Sequence, residues 1–343
     1  MLEIDGSFGE GGGQILRTAL FLSLITKTPF RIKNIRKTRK KPGLKRQHLS
    51  ILEALGKITR SRAVGDSLGS TELLFYPGEI VGGNLEIDIK TAGSISLFLQ
   101  TILPVLAFAK GPSKITVIGG TDVPGGMTID YMRYVYLEFF RRFTRRVYIE
   151  VKRRGYYPAG GGIVEVGVEP GFKNLEEAKE KVKSYQLGSR GTLKRMRIIS
   201  VASGKLKRRK VAERQVSGVL SAIGSLEKPE IEIRYEDSLT PGTSVLILAE
   251  FAKTLLGADN IGKLGVPAEK IGKMAAEEFL KDLNSGATVD IHMQDNLIPF
   301  LGIAGGEFRV STLTKHTETN IWVTERFLPV KFTVRGSLVR AHV

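Results

Sequence analysis

The hydrophobic pattern of this 343-residue chain repeats one order of elements three times. The string LEID at 2–5 recurs at 85–88, and a looser copy, TVDI, stands at 288–291. An apolar segment of helical character follows each copy, and a short strand with period-2 alternation follows each helix. Such self-similarity predicts three copies of one structural unit.

Each predicted unit continues with a second helix and two closing strands. The middle strands read FRIKNI, KITVIGG and EFRVSTL, at 30–35, 114–120 and 307–313. The second helices have apolar residues at three- and four-residue spacing and basic residues on the other face, at 44–58, 128–143 and 317–328. The predicted order is therefore βαβαββ, three times, and the fold class is α+β with helices covering one face of each sheet.

About 100 extra residues separate the second and third units, and they carry strands and helices of their own. The strands are predicted at 192–203, 230–237 and 244–251, and the helices at 211–224 and 268–283. We therefore expect a large domain of three units at 1–183 and 285–343, and a smaller inserted α/β domain at 184–284.

Composition narrows the possible functions. The chain has no cysteine, which excludes disulfides, thiolate metal sites and a cysteine nucleophile. The N-terminus lacks the pattern of a signal peptide, and no apolar run approaches the roughly 20 residues of a membrane span. We therefore expect a cytoplasmic protein with no membrane partner.

Charge indicates a polyanionic partner. The chain has 52 Lys and Arg against 35 Asp and Glu, a net charge of +17, and a pI near 9.9. Surface ion pairs of the kind found in thermophiles predict near-neutral totals and do not explain this excess. Residues 31–46 include nine basic side chains and no acidic one, which favours a phosphate-binding surface over a merely solvated face. Further basic groups lie at 141–154 and 205–210.

The glycine-rich segment GEGGGQ at 9–14 lies between a predicted strand and helix. Bare backbone N–H groups at a helix N-terminus bind phosphate well, but the segment can equally be a tight helix entry. It matches neither the P-loop nor the dinucleotide fingerprint. Glu10 can hold a divalent cation, and Gln14 and Arg17 can reach phosphate oxygens.

Of the four histidines, His316 stands at the predicted turn between strand and helix of the third unit. A neutral imidazole at a helix N-terminus can act as a nucleophile, although an ordinary structural role remains open. His48 suits either helix capping or phosphate contact, His292 suits a strand end, and His342 lies in the C-terminal tail. No paired spacing indicates a histidine metal site.

Several strings resemble the RNA 3′-terminal phosphate cyclase family, and the resemblance runs nearly end to end. They are DGSFGEGGGQILR at 5–17, KPGLKRQH at 41–48, GS with LFLQT at 93–101, GGTDVP at 119–124, YYPAGGG at 156–162 and HTETNIWVTERFLPV at 316–330. That family has three βαβαββ repeats and an inserted domain, as the repeat pattern predicts here. The resemblance makes the large domain the catalytic one.

The resemblance also implies a reaction. A histidine attacks the α-phosphate of ATP, AMP passes to an RNA 3′-phosphate, and the vicinal 2′-hydroxyl closes a 2′,3′-cyclic phosphate. His316 matches the family nucleophile, and the implied co-substrate and cofactor are ATP and Mg²⁺ or Mn²⁺. The implied partner is RNA with a 3′-terminal phosphate. The oligomeric state stays open, with a homodimer as one alternative.

Further site residues follow from the resemblance position by position. The adenosine site implied is Gln100, Pro124, Ile291, His292, Met293, Gln294 and Asp295. The phosphate or RNA contacts implied are Gln14, Arg17, Arg36, Arg39 and His48, with Glu10 as metal ligand. Where some relatives have Tyr before the Asp, this chain has His292, so the adenine contact is the weakest transfer.

Two rival functions use the same fold. One is a ribosome-biogenesis factor that lacks cyclase activity and acts by binding RNA. The other is a small-molecule transferase of the enolpyruvyl type. His316 with GEGGGQ and Gln100 argues against the first, and the basic run at 31–46 argues against the second.

Overall fold

The computed structural model describes residues 1–224 and 228–343, and its first two units have the predicted order. The first consists of β1 (Leu2–Asp5), α1 (Gln14–Thr26), β2 (Phe30–Lys33), α2 (Arg46–Thr59), β3 (Arg62–Val64) and β4 (Leu73–Tyr76). The second begins with β5 (Asn84–Asp88), α3 (Ile95–Leu106) and β6 (Ser113–Gly119). It continues with α4 (Ile129–Tyr131), a π-helical stretch (Met132–Tyr136), α5 (Leu137–Phe140), a 3₁₀ turn (Arg141–Phe143), β7 (Thr144–Arg153) and β8 (Gly162–Pro170).

Both units build the same sheet. The strand orders are β1-β2-β4-β3 and β5-β6-β8-β7. The first two strands of each unit are parallel, and the closing strands pair antiparallel. The α1 and α3 helices join one large apolar core under these sheets, which explains why their sequences are apolar nearly all round.

The third unit is interrupted after its first strand. A short helix, α6 (Leu175–Lys181), precedes β9 (Tyr185–Leu187). The inserted segment then forms β10 (Leu193–Ser203), a 3₁₀ helix (Gly204–Arg209), α7 (Val211–Ile223), β11 (Glu230–Glu236), β12 (Thr243–Phe251), β13 (Leu255–Ile261) and α8 (Ala268–Ser285). The unit resumes with α9 (Met293–Ala304), β14 (Gly306–Arg309), α10 (Lys315–Phe327), β15 (Lys331–Arg335) and β16 (Leu338–His342).

The predicted first strand of the third unit, TVDI at 288–291, is wrong. Those residues form no strand, and β9 pairs parallel with β14 instead, in a sheet ordered β15-β16-β14-β9. The buried Asp290 carboxylate accepts the backbone N–H groups of His292 and Met293, so the chain turns into α9 at this point. Since β9 belongs to the third sheet, we place the start of the insertion after Leu187, within the range 184–284 expected for it.

The inserted sheet, ordered β11-β10-β12-β13, is covered on both faces. Ile198 and Ile247 pack with α7 and α8 in a second apolar cluster. Their neighbours Ile199 and Leu246 face the opposite way and join the large core. A strand buried on both faces needs no polar alternation, which accounts for the continuous apolar run in β12. The strand β13, which contains Asp259 and Asn260, was absent from the sequence prediction.

A buried ionic cluster joins the second unit to the inserted sheet. The fully buried Arg154 guanidinium contacts Asp122 at 3.2 Å, Asp130 at 2.8 Å and Glu236 at 2.8 Å. Burial disfavours the charged guanidinium, but the carboxylates outweigh this effect and raise the pKa of Arg154. Asp122 immediately precedes Val123 and Pro124, so the cluster fixes the loop that contains them. No helix in the described ranges is long and apolar enough to cross a membrane.

Glycine at 306 tests the corrected strand pairing. Its φ is +120°, and a Cβ there would lie 2.3 Å from the Tyr185 carbonyl oxygen in β9. We expect Gly306→Ala to lower the free energy of unfolding by about 1–3 kcal/mol more than Gly336→Ala, through overpacking. Gly336 is the matched control because its φ is +57° and nothing lies within 4 Å of its Cβ position. Equal urea midpoints for the two variants would contradict the β9–β14 pairing.

Candidate active site

The N-terminal turns of α1 and α10 meet at one side chain, that of Gln14. Its amide nitrogen donates to the Asp295 carboxylate at 3.0 Å and to the His316 carbonyl oxygen at 2.8 Å. Its amide oxygen contacts Nδ1 of the His316 ring. Because both amide donors are engaged, the amide oxygen must accept from a protonated Nδ1. The Gln14 side chain therefore fixes both the tautomer and the orientation of the His316 imidazole.

The other ring nitrogen of His316, Nε2, faces the glycine-rich loop. It lies 3.1 Å from Oε2 of Glu10. The Glu10 main chain is held by the Thr38 hydroxyl, which donates to its carbonyl oxygen at 2.9 Å, and Arg39 lies 3.4 Å from the same carboxylate. With a proton on Nδ1, a neutral His316 presents the Nε2 lone pair on this side. Two facing acceptors leave room for a proton or a cation between them.

Two clefts open on either side of His316. The larger, about 690 Å³, is lined by Gln100, Pro124, Ile291, His292 and Asp295 among others. The second, about 430 Å³, is lined by Glu10, Gly12, Gly13, Arg36, Arg39, Lys45, Gln47, His48 and the 92–94 turn. His316, Gln14 and Arg17 line both. His316 is therefore accessible from both clefts.

Arg17 is a cation that lines both clefts. In the part of the chain that the structure describes, it has no hydrogen-bonded or ion-paired acceptor, although it is half-buried on α1. Burial lowers the pKa of Arg17 to about 10, and the Asp295 charge only partly opposes this. The side chain remains charged at neutral pH, and a half-buried guanidinium without a carboxylate partner suits an incoming phosphate.

His48 lies beneath the glycine-rich loop as a neutral donor. Its Nδ1 accepts the Lys45 backbone N–H at 3.0 Å, which closes the first turn of α2 and leaves the proton on Nε2. Burial, together with the charges of Arg17, Arg36 and Lys45, lowers the pKa of His48 to about 3. A Cβ at position 13 would lie 2.4 Å from His48 Nε2, so only glycine permits this approach. Capping and phosphate contact, the two alternatives from sequence, are compatible here.

The structure gives the other predicted site residues different surroundings. The Arg36 guanidinium donates to the Lys41 and Gly43 carbonyl oxygens at 2.8 and 3.1 Å, so it shapes the basic loop. Met293 is fully buried in the apolar core and lies outside both clefts. Gln294 is also fully buried.

Gln294 braces the turn that precedes His316. Its amide nitrogen donates to the Thr312 carbonyl oxygen at 3.1 Å, and its amide oxygen accepts the Thr317 hydroxyl at 2.9 Å. It also accepts the Thr314 N–H at 3.3 Å. A side chain so occupied supports the turn before His316 and is not available to a ligand.

Sequence reasoning missed one wall of the larger cleft. Asp259, Lys263 and Glu278 reach it from β13, the following loop and α8 of the inserted segment. Glu278 lies 2.8 Å from Nε2 of His292. No local sequence motif predicts that these residues line the cleft, because only the packing of the inserted sheet on the large core brings them there.

His292 has an unusual charge state for a histidine. Burial lowers its pKa, but the hydrogen bond and charge of Glu278, with the charges of Asp259 and Asp290, outweigh burial and raise the pKa to about 10. The side chain is therefore an imidazolium at neutral pH. It stands at the entry of α9, one residue before Met293.

Glu10 is the one side chain that the sequence analysis predicted to bind a metal ion. Within residues 1–224 and 228–343, no group of three or more His, Asp or Glu side chains is arranged to hold a metal ion. Mg²⁺ commonly binds through one or two carboxylates together with substrate phosphates. A single carboxylate at the edge of a cleft with room for phosphates fits that mode of binding, and it does not fit a cage of protein ligands alone.

His48 and His292 should titrate on opposite sides of neutrality. We expect ¹H–¹⁵N NMR to show His48 neutral down to about pH 3 and His292 protonated up to about pH 10. Because the folded pKa of His292 is raised, its contribution to stability is complete below its unfolded pKa, about 6.5, and is lost as pH rises through about 10. Glu278→Gln should lower the His292 midpoint and leave that of His48 unchanged. A His292 midpoint near 6.5 in the unmodified chain would contradict the assigned contacts.

Known proteins resemble this chain over nearly its whole length. The family model for RNA 3′-terminal phosphate cyclase matches residues 8–334. Proteins named RNA 3′-terminal phosphate cyclase are 43% identical over 345 residues in Methanosarcina mazei and 43% over 342 residues in Thermococcus kodakarensis. The alignments cover 98% of this chain in both cases, and 97% and 95% of the relatives.

A third relative, the RNA 3′-terminal phosphate cyclase of Pyrococcus furiosus, is 40% identical over 339 residues, covering 98% of this chain and 96% of its own. The similarity therefore spans the three units, the inserted segment and both clefts. The chain belongs to the RNA 3′-terminal phosphate cyclase family.

Proposed function

We propose that this chain is an ATP-dependent RNA 3′-terminal phosphate cyclase that works through a covalent His316–AMP intermediate. The observation that carries the proposal is the position of His316 Nε2 between two clefts, with the ring held through Nδ1 by Gln14. The family membership supports the reaction class.

The first step is adenylation of the enzyme. The Nε2 lone pair of His316 attacks the α-phosphorus of ATP, the P–N bond forms, and the bond to pyrophosphate breaks. The proton on Nδ1 stays there, hydrogen-bonded to the Gln14 oxygen, so no base is needed for this step. The guanidinium of Arg17 stands where negative charge grows on the phosphate oxygens.

The second step uses the other cleft. An oxygen of the RNA 3′-phosphate attacks the phosphorus of the phosphoramidate, the P–N bond breaks, and neutral His316 is regenerated. The 2′-hydroxyl then attacks the activated 3′-phosphorus, loses its proton to solvent or base, and expels AMP. A phosphate monoester has a poor leaving group, and attachment of AMP replaces it with a good one.

The larger cleft suits a nucleotide. Gln100 and Pro124 line it, and we assign Asp295, which lines it as well, to ribose or base contact. His292 presents an imidazolium to the same space, which attracts an electron-rich purine face. We omit Met293 and Gln294 from direct contact, because both are fully buried.

The second cleft suits the RNA end. His48 Nε2 and a guanidinium nitrogen of Arg17 lie 2.4 and 3.3 Å from the position that a Cβ at Gly13 would take, so both reach the space beside the glycine-rich loop. Two such donors beside backbone N–H groups suit an incoming phosphate. Arg39 and Lys45 line the rim and add positive charge. When a divalent cation is bound, Glu10 is the residue placed to hold it, and the cation neutralises charge on the phosphates.

The alternative is an RNA-binding member of the family without cyclase activity. Nothing that the structure places at His316 favours it, since the tautomer, the two clefts and the free guanidinium suit nucleotidyl transfer. A cytoplasmic location stays a prediction from the sequence.

The nucleophile is tested by incubation with α-labelled ATP and Mg²⁺ or Mn²⁺. We expect an acid-labile, alkali-stable adduct in the unmodified chain and none in His316→Ala. Lys315→Ala is the matched control, because Lys315 is the neighbouring nitrogen nucleophile and should be dispensable. Release of the label as AMP should need RNA with a 3′-phosphate and not a 3′-hydroxyl. An undiminished adduct in His316→Ala would rule out the proposal, and absence of any adduct would favour the non-catalytic alternative.

Arg17 should matter in both half-reactions because it lines both clefts. We expect Arg17→Ala to slow adduct formation and AMP transfer by about 10²–10³-fold each, as for loss of one donor to a developing oxyanion. Arg17→Lys should recover part of both rates, since it keeps charge but loses the two-pronged geometry. Single-turnover kinetics measure the two steps separately. Normal adduct formation with slow transfer alone would restrict Arg17 to the RNA cleft.

A further inference from the structure

The inserted domain has a basic surface that the proposed reaction does not use. Its 3₁₀ helix and the residue after it expose five basic side chains in six residues: Lys205, Lys207, Arg208, Arg209 and Lys210. Glu213, one of the nearest carboxylates, is hydrogen-bonded by the Tyr235 hydroxyl. Asp237 is exposed close to the start of this helix.

These five side chains share one property. None of them forms an ion pair with a residue that the structure describes. Four arginines of the same sheet and of α7 do, in the pairs Arg195–Glu230, Arg197–Glu232, Arg214–Glu269 and Arg234–Glu232. The 3₁₀ helix and Lys210 therefore concentrate unpaired positive charge, whereas these four arginines of the same domain are paired.

The basic helix is fixed to the second unit. Ser203, which caps the helix, accepts a hydrogen bond from the Ser238 hydroxyl at 2.7 Å. The loop at 237–240 is tied to the second unit, because the Arg154 N–H donates to the Asp237 carbonyl oxygen at 3.0 Å. The Thr240 hydroxyl donates to the Tyr156 carbonyl oxygen at 3.1 Å. The position of the helix is thus set by the same joint as the buried Arg154 cluster.

A series of direct contacts connects this helix to the second cleft, which we propose binds the RNA end. Lys205 donates to the Leu239 carbonyl oxygen at 2.6 Å, and Leu239 packs on Gly161. Gly160, the residue before Gly161, packs on Ala92, which lines the second cleft beside His316. Tyr157 and Leu239 are 69% and 51% exposed along this path. The surface between the second cleft and the 3₁₀ helix is therefore exposed to solvent. The basic side chains of that helix lie at the end of this surface farther from the cleft.

We propose that this surface, from Ala92 across Tyr157 to Lys205–Lys210, binds the sugar-phosphate backbone of the RNA upstream of its 3′ end. The inference rests on the proposed function for the identity of the RNA end. Unpaired cations neutralise phosphates without sequence preference, and exposed aromatic and apolar groups along such a path give the bases a face to contact. The inserted domain thereby selects RNA by length, while the cleft selects the chemistry of the terminus.

The test compares two double charge reversals. Arg208→Glu with Arg209→Glu removes two cations of the surface. Arg145→Glu with Arg146→Glu is the matched control, because these arginines are exposed, form no ion pair within the described chain, and begin β7. They lie eight and seven residues before Arg153 on that strand, about 26 and about 23 Å away at roughly 3.3 Å per residue.

Filter binding without ATP is measured with 3′-phosphorylated RNAs of about 3 and about 15 nucleotides, the latter near the upper site size of single-strand binders. We expect R208E/R209E to weaken binding of the longer RNA at least tenfold at low salt and to leave the short one unchanged. The slope of log affinity against log salt for the longer RNA should become shallower by about 1.4, since on a single strand each lost phosphate contact removes about 0.7. The control should match the unmodified chain on both RNAs, and thermal melting should show both variants folded.

Equal losses for both doubles, or for both RNA lengths, would overturn the proposal, as would unchanged affinity in R208E/R209E. Loss of binding to phosphatidylserine vesicles with unchanged RNA affinity would assign the surface to a membrane instead. Adduct formation from labelled ATP separates the two hypotheses. If the unmodified chain forms no adduct, the proposed function fails, whereas a normal adduct with normal long-RNA affinity in R208E/R209E defeats only this inference.

Discussion

The active site depends on the hydrogen bonds of one amide side chain, that of Gln14. It joins the first turn of α1 to the first turn of α10 and contacts α9 through Asp295, so three helices from two units meet at it. An amide has a fixed division of donors and acceptors, and this division sets which nitrogen of His316 keeps its proton. The defined tautomer of His316 therefore follows from helix packing, with an amide oxygen and no carboxylate on Nδ1.

The inserted domain packs on the large domain and contributes residues to the same site. It enters the third unit between β9 and α9, and one face of its sheet is part of the large core. That packing brings Asp259 and Glu278 to the larger cleft, and the Arg154 cluster holds the 119–126 loop to the same sheet. Because buried charge pairs are costly to break, the two parts are expected to move as one around the cleft.

The sequence predicted what local pattern encodes. Helical and strand periodicity predicted the order of elements in the first two units, although it gave no positions for their closing strands. The resemblance to the family implied that His316 and Glu10 belong to one site. The first strand of the third unit could not be found this way, because β9 is three residues long and separated from its helix by the whole insertion. TVDI resembled a strand, but Asp290 caps a helix. Gln294 matched a family segment, yet its burial depends on tertiary packing that no motif reports.

The central claim is that Nε2 of His316 carries AMP while Nδ1 stays protonated on Gln14. Peptide mapping by mass spectrometry after incubation with ATP, followed by ³¹P–¹⁵N NMR of histidine-labelled protein, tests it most directly. The account predicts the AMP mass on the peptide containing His316 and a phosphorus coupling to Nε2. A coupling to Nδ1, or the mass on Lys315 or another histidine, would contradict it.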